Sequence, residues 1–417
     1  MQPTRTTPVQ HGTSIENGHF VLTMMPSLYC ALNCPHCYLS KAERRDTTRL
    51  SDQDLANILS GIRAYYKARN LPRVSIHAYQ YGGEPTSMGI EAFTSMLDTI
   101  DAAFPTQDGY DLRHTILTAL IGVDLDAWAP LVHQRCASYL QSSYDGRMRG
   151  GGYLTDWLGQ MAKARELGIT MGTVSVVNSR ILSDGPEATL DTLERLGVAE
   201  ASFLPFMENL QNTGKIYDTL APSMHAWSRF MIALTERWIA RVQQGGRPPE
   251  IGQLRFILSQ AASEKGLANT AAQTLFLLPN GDWALPDYRQ GWTEYMNRFG
   301  NGIQQDFASV LRSPKRKAYL RKQALRNGNP ECMGCPHGGH CVMEFWKPNR
   351  SDDDCFGGRT YVEWVLANRT RVEDALALHT PHAPPPLSLH QKALQSWRQG
   401  APYTIQAGGV RVETSLY

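Results

Sequence analysis

Three closely spaced cysteines constrain this chain more than any other feature of its sequence. Cys30, Cys34 and Cys37 follow a C-x3-C-x2-C spacing in a chain with 8 cysteines among 417 residues. Three thiolates hold three corners of a cuboidal [4Fe–4S] cluster, whose irons usually take four cysteine ligands. The remaining iron then keeps an open coordination position, which distinguishes catalytic metal sites from structural ones. The triplet alone also fits a zinc site completed by His36, or separate core thiols.

Alternating strands and helices surround this triplet. The segment 19–25 is apolar, and the three cysteines follow at its carboxyl end. Further strands are predicted at 73–80, 114–120, 138–143, 170–177 and 201–206, and helices at 51–70, 90–104, 125–134, 154–167, 186–196 and 223–243. Six successive βα units predict an α/β fold, a partial (β/α)6 TIM-like barrel with parallel strands. The loops at the carboxyl ends of such strands usually carry the chemistry.

Two short motifs end the second and fourth predicted strands. Gly82-Gly83-Glu84 follows the second strand, and Ser143 begins a Ser-Tyr-Asp-Gly turn after the fourth. Glycines let a backbone approach a ligand closely, and backbone carbonyl groups then accept hydrogen bonds from an ammonium group. Taken alone, each motif is also typical of a plain turn.

Together the motifs resemble those of the radical S-adenosylmethionine (SAM) enzymes. The cysteine spacing followed by Tyr38 resembles the cluster-binding signature of that family, and Gly82-Gly83-Glu84-Pro85 resembles its GGEP motif. The resemblance implies that Cys30, Cys34 and Cys37 hold a [4Fe–4S] cluster whose open iron binds SAM. It also implies a set of cofactor-binding residues, which are His36, Gly82, Gly83, Glu84, Ser143, Arg149, Ser175 and Leu204.

The resemblance assigns parts of SAM to some of these residues. The glycine motif receives the amino group in the family, and the Ser143 turn is similar to that of the peptide-modifying branch. Ser143 would contact the ribose or the carboxylate, and Arg149 the carboxylate, although the intervening loop is shorter here than in the family. Ser175 and Leu204, on the fifth and sixth strands, would line the adenosine pocket.

Four further cysteines form a second group later in the chain. Cys332, Cys335, Cys341 and Cys355 follow a C-x2-C-x5-C-x13-C spacing. Four thiolates close a [4Fe–4S] cluster or a zinc site, and by chemistry alone zinc is favoured. After a radical SAM barrel the group resembles the SPASM domain, which carries auxiliary clusters. Since the hairpin predicted at 278–285 lacks the cysteines found there in the family, the resemblance implies a C-terminal β-hairpin plus a reduced, Cys-rich SPASM/twitch-type domain with one auxiliary [4Fe–4S] cluster.

Asp287 and Cys136 are the remaining candidates. Asp287 follows the hairpin, where resemblance to the sulfatase-maturing members of the family implies a catalytic general base near the substrate. Its alternative role is that of a turn residue. Cys136 lies at the end of an apolar helix and is predicted to be a small buried hydrophobe.

The resemblance implies a reaction and its partners. Reductive cleavage of SAM would give a 5′-deoxyadenosyl radical that abstracts hydrogen from a peptide or protein side chain, leading to crosslinking, oxidation or epimerisation of a ribosomal peptide. Two alternatives stay open: a radical SAM dehydrogenase or epimerase acting on a sugar or antibiotic intermediate, and a non-enzymatic zinc or Fe–S scaffold. The expected partners are the substrate and an electron donor such as flavodoxin or ferredoxin. Because 1–17 is too short for a winged-helix recognition domain, a leader peptide would be recognised either by a separate leader-peptide-binding protein or by the mouth of the barrel.

Composition sets bounds on these expectations. The chain is 42% hydrophobic and 19% charged, with a net charge of +2, which gives no support for nucleic acid binding. No run of about 18 apolar residues predicts a membrane span, and no signal peptide is recognised, so a cytoplasmic location is expected. The predicted segments are a flexible tail at 1–17, the radical SAM core barrel at 18–245, a linker with a helix at 246–272, the SPASM-like domain at 273–365, and a C-terminal helix and tail at 366–417.

Overall fold

Twelve strands and fourteen helices are assigned in the part of the chain that the structure, a computed structural model, describes. The described residues are 14–261, 270–286, 296–325, 329–337, 341, 352–380, 403–407 and 410–414. The strands are β1 (His19–Met24), β2 (Val74–Gln80), β3 (Tyr110–Thr118), β4 (Tyr139–Ser143), β5 (Thr170–Val177), β6 (Val198–Pro205), β7 (Glu250–Ile251), β8 (Thr274–Leu277), β9 (Asp282–Leu285), β10 (Asn297–Asn301), β11 (Tyr403–Ala407) and β12 (Val410–Thr414). The helices are α1 (Asp52–Ala68), α2 (Ile90–Ala103), α3 (Leu125–Arg135), α4 (Gly151–Glu166), α5 (Ser179–Arg195), α6 (Lys215–Leu220), α7 (Met224–Gln243), α8 (Gly252–Ala261), α9 (Thr270–Gln273), α10 (Phe307–Arg312), α11 (Pro314–Ala324), α12 (Pro330–Met333), α13 (Arg359–Ala367) and α14 (Arg369–Leu378).

One large sheet organises the fold. Its strand order is β10-β9-β8-β1-β2-β3-β4-β5-β6-β7, and neighbouring strands from β1 to β7 are parallel. The six predicted βα units and the α/β fold class with its partial barrel are therefore confirmed. β7 lies in the segment that the sequence assigned to a linker, where it pairs with β6.

The C-terminal hairpin extends this same sheet. β8 pairs in parallel with β1, so that Val21 lies opposite Thr274, while β9 and β10 continue the sheet with antiparallel pairs. The predicted hairpin thus covers the free edge of β1, whose backbone groups would otherwise lack partners. β11 and β12 form a separate two-stranded antiparallel sheet in the predicted tail.

Sequence periodicity explains how the helices and strands pack. Ser51 accepts a hydrogen bond from the Asp54 amide at 3.0 Å and caps α1 as predicted. Leu55, Leu59 and Ile62 lie at helical spacing on the buried face of α1. Side chains along β2 alternate between buried and half-buried positions. Because successive side chains of a strand point to opposite faces, one face of β2 packs under the helices and the other faces the barrel interior.

Two elements begin four or more residues before their predicted start. α5 begins at Ser179 rather than at 186, with a break at Gly185, where φ is 83°. Pro186 favours a predicted helix start at 186, because proline is common in the first helical turn. β3 begins at Tyr110, four residues before the predicted strand at 114–120, because its polar first half still pairs with β2. None of the helices within the described residues combines the length and apolarity needed to cross a membrane.

Candidate active site

A cavity of about 500 Å³ lies at the carboxyl ends of the barrel strands. It gathers motifs that are far apart in the sequence. Ten of the residues singled out above line it, namely Cys30, Cys34, His36, Cys37, Gly82, Gly83, Glu84, Ser143, Arg149 and Leu204. Parallel strands bring their carboxyl ends to one edge, which explains why loops after β1, β2, β4 and β6 meet here.

Two hydrogen bonds to Arg44 hold the cysteine loop after β1. The Cys30 amide donates to the Arg44 carbonyl at 3.0 Å, and the Arg44 guanidinium donates to the Leu32 carbonyl at 2.6 Å. Burial raises the pKa of the Cys30, Cys34 and Cys37 thiols. Buried thiols in an apolar site are poor nucleophiles unless a metal or a cation holds them as thiolates.

The glycine motif after β2 forms a cradle against this loop. A Cβ atom at Gly83 would lie 2.3 Å from the Leu28 carbonyl oxygen and 2.4 Å from that of Tyr29, so only glycine fits. Gly82 has a φ of 127°, a backbone conformation that residues with a side chain rarely adopt. The Tyr38 hydroxyl donates to the Gly82 carbonyl at 3.0 Å, which leaves that oxygen one lone pair for a ligand.

The Glu84 carboxylate accepts hydrogen bonds from neighbouring groups of the protein. One carboxylate oxygen accepts from the Thr86 and Thr118 hydroxyls at 2.6 and 2.7 Å, and the other from the Ala119 amide at 2.7 Å. The side chain is 8% exposed. Glu84 therefore connects the end of β2 to the end of β3 and fixes the cradle in place.

Asp145 organises the opposite wall of the cavity, although sequence reasoning treated it only as part of a turn. Its carboxylate accepts from Arg149 Nε at 2.6 Å and from the Val176 amide at 2.9 Å, and lies 3.7 Å from His36 Nε2. Burial alone would raise the pKa of Asp145, but Arg149 and His36 outweigh it and hold this pKa below its usual value. Burial also lowers the pKa of His36 to about 4, so the imidazole is neutral at pH 7.

Asp145 and Tyr153 hold the Arg149 side chain in place. Its guanidinium lies over the Tyr153 ring, 5.0 Å from the centroid, and donates to the Tyr153 hydroxyl at 3.2 Å. Burial, with only 8% of the side chain exposed, would lower the pKa of Arg149, but the Asp145 carboxylate outweighs it and raises this already high pKa. The Arg149 side chain therefore stays charged. The short loop between Ser143 and Arg149 thus still presents a guanidinium to the cavity.

Asp145→Asn is expected to destabilise the protein by about 3 kcal/mol, because it leaves the buried Arg149 charge without its carboxylate. Urea denaturation under anaerobic conditions measures the free energy of unfolding. The matched control is Asp108→Asn, which breaks an ion pair with Arg63 whose two side chains are 41% and 44% exposed. That control should cost less than about 1 kcal/mol; equal costs for the two variants would contradict a structural role for the Asp145 pair.

Ser175 is the predicted contact that the structure places elsewhere. Its side chain is fully buried, while the cavity is lined by its neighbours Val174 and Val176. Successive side chains of a strand point to opposite faces, so Ser175 faces the helices. Leu204, on β6, does line the cavity together with Met207.

The C-terminal cysteines also approach one another where they are described. A Cβ atom at Gly357 would lie 2.9 Å from Cys341 Sγ and 3.6 Å from Cys355 Sγ. Burial raises the pKa of the Cys355 thiol to about 11, and the charge of Cys335 adds to this effect. Asp287 lies outside the described residues. Cys136 is buried, with 2% exposure, as predicted for a core thiol.

The donor set decides which metal group each site fits. Among the described residues, no three His, Cys, Asp or Glu side chains are assembled as a site for a single metal ion. Three thiols of the same cavity, with Arg149 near Cys34, match the ligands and the positive surroundings of an iron–sulfur cluster. The second group supplies four thiols, the usual number for a closed cluster.

Comparison with known proteins finds solved structures that are similar to this chain in fold. No protein-family model matches the chain, and no curated protein matches it significantly. A structure of anSMEcpe with bound AdoMet has a TM-score of 0.65 at 15% identity, over 86% of this chain and 99% of that one. A second, of native anSMEcpe with bound AdoMet and the Cp18Cys peptide, has a TM-score of 0.66 at 14% identity over 86% and 99%.

A second kind of protein shares the fold less completely. SuiB of Streptococcus suis, bound to the precursor peptide SuiA, has a TM-score of 0.56 at 17% identity, over 78% of this chain and 71% of that one. At these identities the similarity shows the fold. The chain has the fold that its resemblance to radical SAM enzymes with a C-terminal SPASM-type domain implied.

Proposed function

We propose that this chain is a radical SAM enzyme with a SPASM-type domain, and that it modifies a side chain of a peptide or protein. One observation carries the proposal: the three thiols, the glycine cradle and Arg149 line a single cavity at the carboxyl ends of the barrel strands. Three thiolates leave one iron of a [4Fe–4S] cluster free, and the cradle and guanidinium offer partners for the amino and carboxylate groups of SAM.

The chain's own residues bind and orient SAM in this proposal. When bound, the cluster supplies one electron for cleavage of the sulfonium C–S bond, which leads to removal of a hydrogen atom from the substrate. The free lone pair of the Gly82 carbonyl accepts from the SAM ammonium group. Arg149, oriented by Asp145, donates to the carboxylate, and Ser143 contacts the carboxylate or the ribose. Leu204 packs against adenosine and excludes water.

The C-terminal cysteines are proposed to hold one auxiliary [4Fe–4S] cluster. Cys332, Cys335, Cys341 and Cys355 supply its four ligands, and the cluster would pass an electron to or from the substrate radical or stabilise the fold. A flavodoxin or ferredoxin in the cytoplasm is the expected electron donor, and a leader peptide would bind either a separate protein or the mouth of the barrel.

Two of the structural relatives support a peptide substrate. SuiB is seen bound to the precursor peptide SuiA, and anSMEcpe to the Cp18Cys peptide. The exposed side chains of Leu210 and Ile216, 49% and 41% exposed, lie in the segment that follows Met207 at the cavity mouth. Apolar side chains at a cavity mouth suit contact with a polypeptide chain.

Assay of SAM cleavage tests the proposed function. The chain is purified anaerobically, reduced with dithionite and incubated with SAM, and 5′-deoxyadenosine is quantified by chromatography. Co-expression with a short peptide encoded beside its gene, followed by mass spectrometry of that peptide, tests the substrate. Cleavage of SAM with a mass change in the peptide is expected; an iron-free protein that leaves SAM intact would contradict the proposal.

Asp287→Asn is expected to leave SAM cleavage intact and to lower product formation by about 100-fold or more, because an amide does not accept the substrate proton. The measurement is the ratio of modified peptide to 5′-deoxyadenosine. Asp282→Asn, on the hairpin that precedes Asp287 in the chain, is the control and should keep the ratio of the unaltered protein. Unchanged turnover in Asp287→Asn would return this residue to the role of a turn residue.

A further inference from the structure

The segment between β6 and α7 forms one side of the cavity mouth. We call residues 206–222 the mouth segment. The Asn209 side-chain amide donates to the His36 carbonyl at 3.3 Å, and the Phe206 ring meets the His36 imidazole edge-on at 6.4 Å. Asn209 and Met207 also line the cavity. The mouth segment is therefore in direct contact with the loop that carries Cys34 and Cys37.

The position of Asn209 depends on how the rest of this segment is held. Asn212 accepts from the Asn209 amide through its side chain at 2.9 Å, and from the Tyr217 amide through its carbonyl at 2.8 Å. Tyr217 belongs to α6 and packs on Phe206, with 5.9 Å between ring centroids. With Met148 these rings form a small apolar cluster separate from the main core. α6 also contacts α5, and residues 221–223 join it directly to the first turn of α7.

The C-terminal region caps the first turn of α7. The Asp353 carboxylate accepts from the Met224 amide at 2.7 Å and from the His225 amide at 2.8 Å. Ser223 accepts from the Ala226 amide at 3.1 Å, so a remote residue satisfies two of the three capped donors. The first amides of a helix have no partners within the helix, and their positive charge favours a carboxylate.

Asp354 connects the same helix to the second cysteine group. It is 7% exposed and accepts from the Ser228 hydroxyl of α7 at 2.7 Å and from the Thr360 amide of α13 at 3.0 Å. Its other oxygen accepts from the amide of Cys355 at 2.8 Å. One acidic pair thus caps two helices and fixes the backbone of a cysteine that lies beside Cys341.

We infer that Asp353 and Asp354 are positioning residues that couple the C-terminal cysteine site to the mouth of the cavity. The inference rests on the proposed function, since it takes those cysteines to be metal ligands. Filling the site orders the backbone at Cys355, and the acidic pair then fixes the first turn of α7. The ordered turn holds the mouth segment, and Asn209 stays on the His36 carbonyl. Such coupling is reciprocal, so a ligand in the cavity also stabilises the C-terminal site.

Hydrogen–deuterium exchange of the full chain, reconstituted anaerobically with iron and sulfide, tests this inference. Emptying the C-terminal site with Cys335→Ser should speed amide exchange in the mouth segment by about fivefold, the loss expected when helix capping weakens. In Asp353→Ala the exchange should already be fast while iron content is unchanged, and adding Cys335→Ser should have no further effect. This non-additivity is the signature of coupling through one residue.

Ser223→Ala is the matched control, because it removes a cap of the same helix turn that has no link to Cys355. It should speed exchange at the start of α7 yet keep the response of the mouth segment to Cys335→Ser. The inference would be overturned if the unaltered chain holds iron at both sites and its mouth segment exchanges at the same rate as that of Cys335→Ser. Iron analysis and the SAM-cleavage assay separate this outcome from failure of the proposed function, in which the unaltered chain holds no iron at Cys30, Cys34 and Cys37 and leaves SAM intact.

Discussion

Replacing Cys30, Cys34 and Cys37 with alanine is expected to abolish SAM cleavage and to remove about four irons per chain, while about four remain on the C-terminal cysteines. The reason is that all three thiols line the cavity, and among the described residues no other cysteine does so. Iron analysis and 5′-deoxyadenosine production measure the two effects. Because the C-terminal site has its own ligands, its absorbance should survive the triple substitution.

Cys136→Ala serves as the control for this experiment. Cys136 is 2% exposed in the main core, and burial raises its pKa to about 12, so it is an inert thiol. Its replacement should cost about 1 kcal/mol of stability through a small cavity and leave iron content and SAM cleavage unchanged. Retained cleavage in the triple variant, or loss of it in Cys136→Ala, would contradict the assignment of the first site.

Gly83→Ala is the single substitution with the largest expected effect. The added Cβ would lie 2.3 Å from the Leu28 carbonyl oxygen, so either the cradle or the backbone before Cys30 must move. The Glu84 amide, which donates to the Tyr29 carbonyl at 2.8 Å, moves with it. A displacement of about 1 Å in a binding site is able to lower a rate by about 100-fold, and we expect at least that loss in SAM cleavage.

The matched control for this substitution is Gly61→Ala. Gly61 lies within α1, and apart from its chain neighbours and the backbone of its own helix no atom is within 4 Å of the Cβ position. Alanine there should stabilise the protein by about 1 kcal/mol, since glycine weakens a helix interior. SAM affinity from isothermal titration and the midpoint of thermal unfolding distinguish the two variants. Comparable SAM cleavage in both would show that the cradle does not position the cofactor.

Local sequence patterns predicted the barrel and most of the cavity lining. The βα alternation follows from hydrophobic periodicity, and parallel strands bring the motifs after β1, β2 and β4 to one edge whatever the details of packing. Gly83 is an example of a motif residue whose type the structure requires. Its backbone lies so close to the carbonyl groups of Leu28 and Tyr29 that a side chain would not fit.

Features that depend on register or on remote partners were not predictable. Ser175 is one residue away from the cavity-facing Val174 and Val176, and in a strand one residue is enough to reverse the face. The role of Asp145 arises from its burial beside Arg149, and the pairing of β8 with β1 joins segments about 250 residues apart. The capping of α7 by Asp353 likewise joins two regions whose sequences carry no sign of each other.

Electron paramagnetic resonance of the first site is the most direct test of SAM binding by this chain. The measurement uses Cys335→Ser, so that the Cys30, Cys34 and Cys37 site gives the signal, and compares the dithionite-reduced protein before and after addition of SAM. We predict the spectrum of a reduced [4Fe–4S] cluster that changes when SAM occupies the open iron. A cluster spectrum unaffected by SAM, or zinc in place of iron at these three cysteines, would contradict the proposed function.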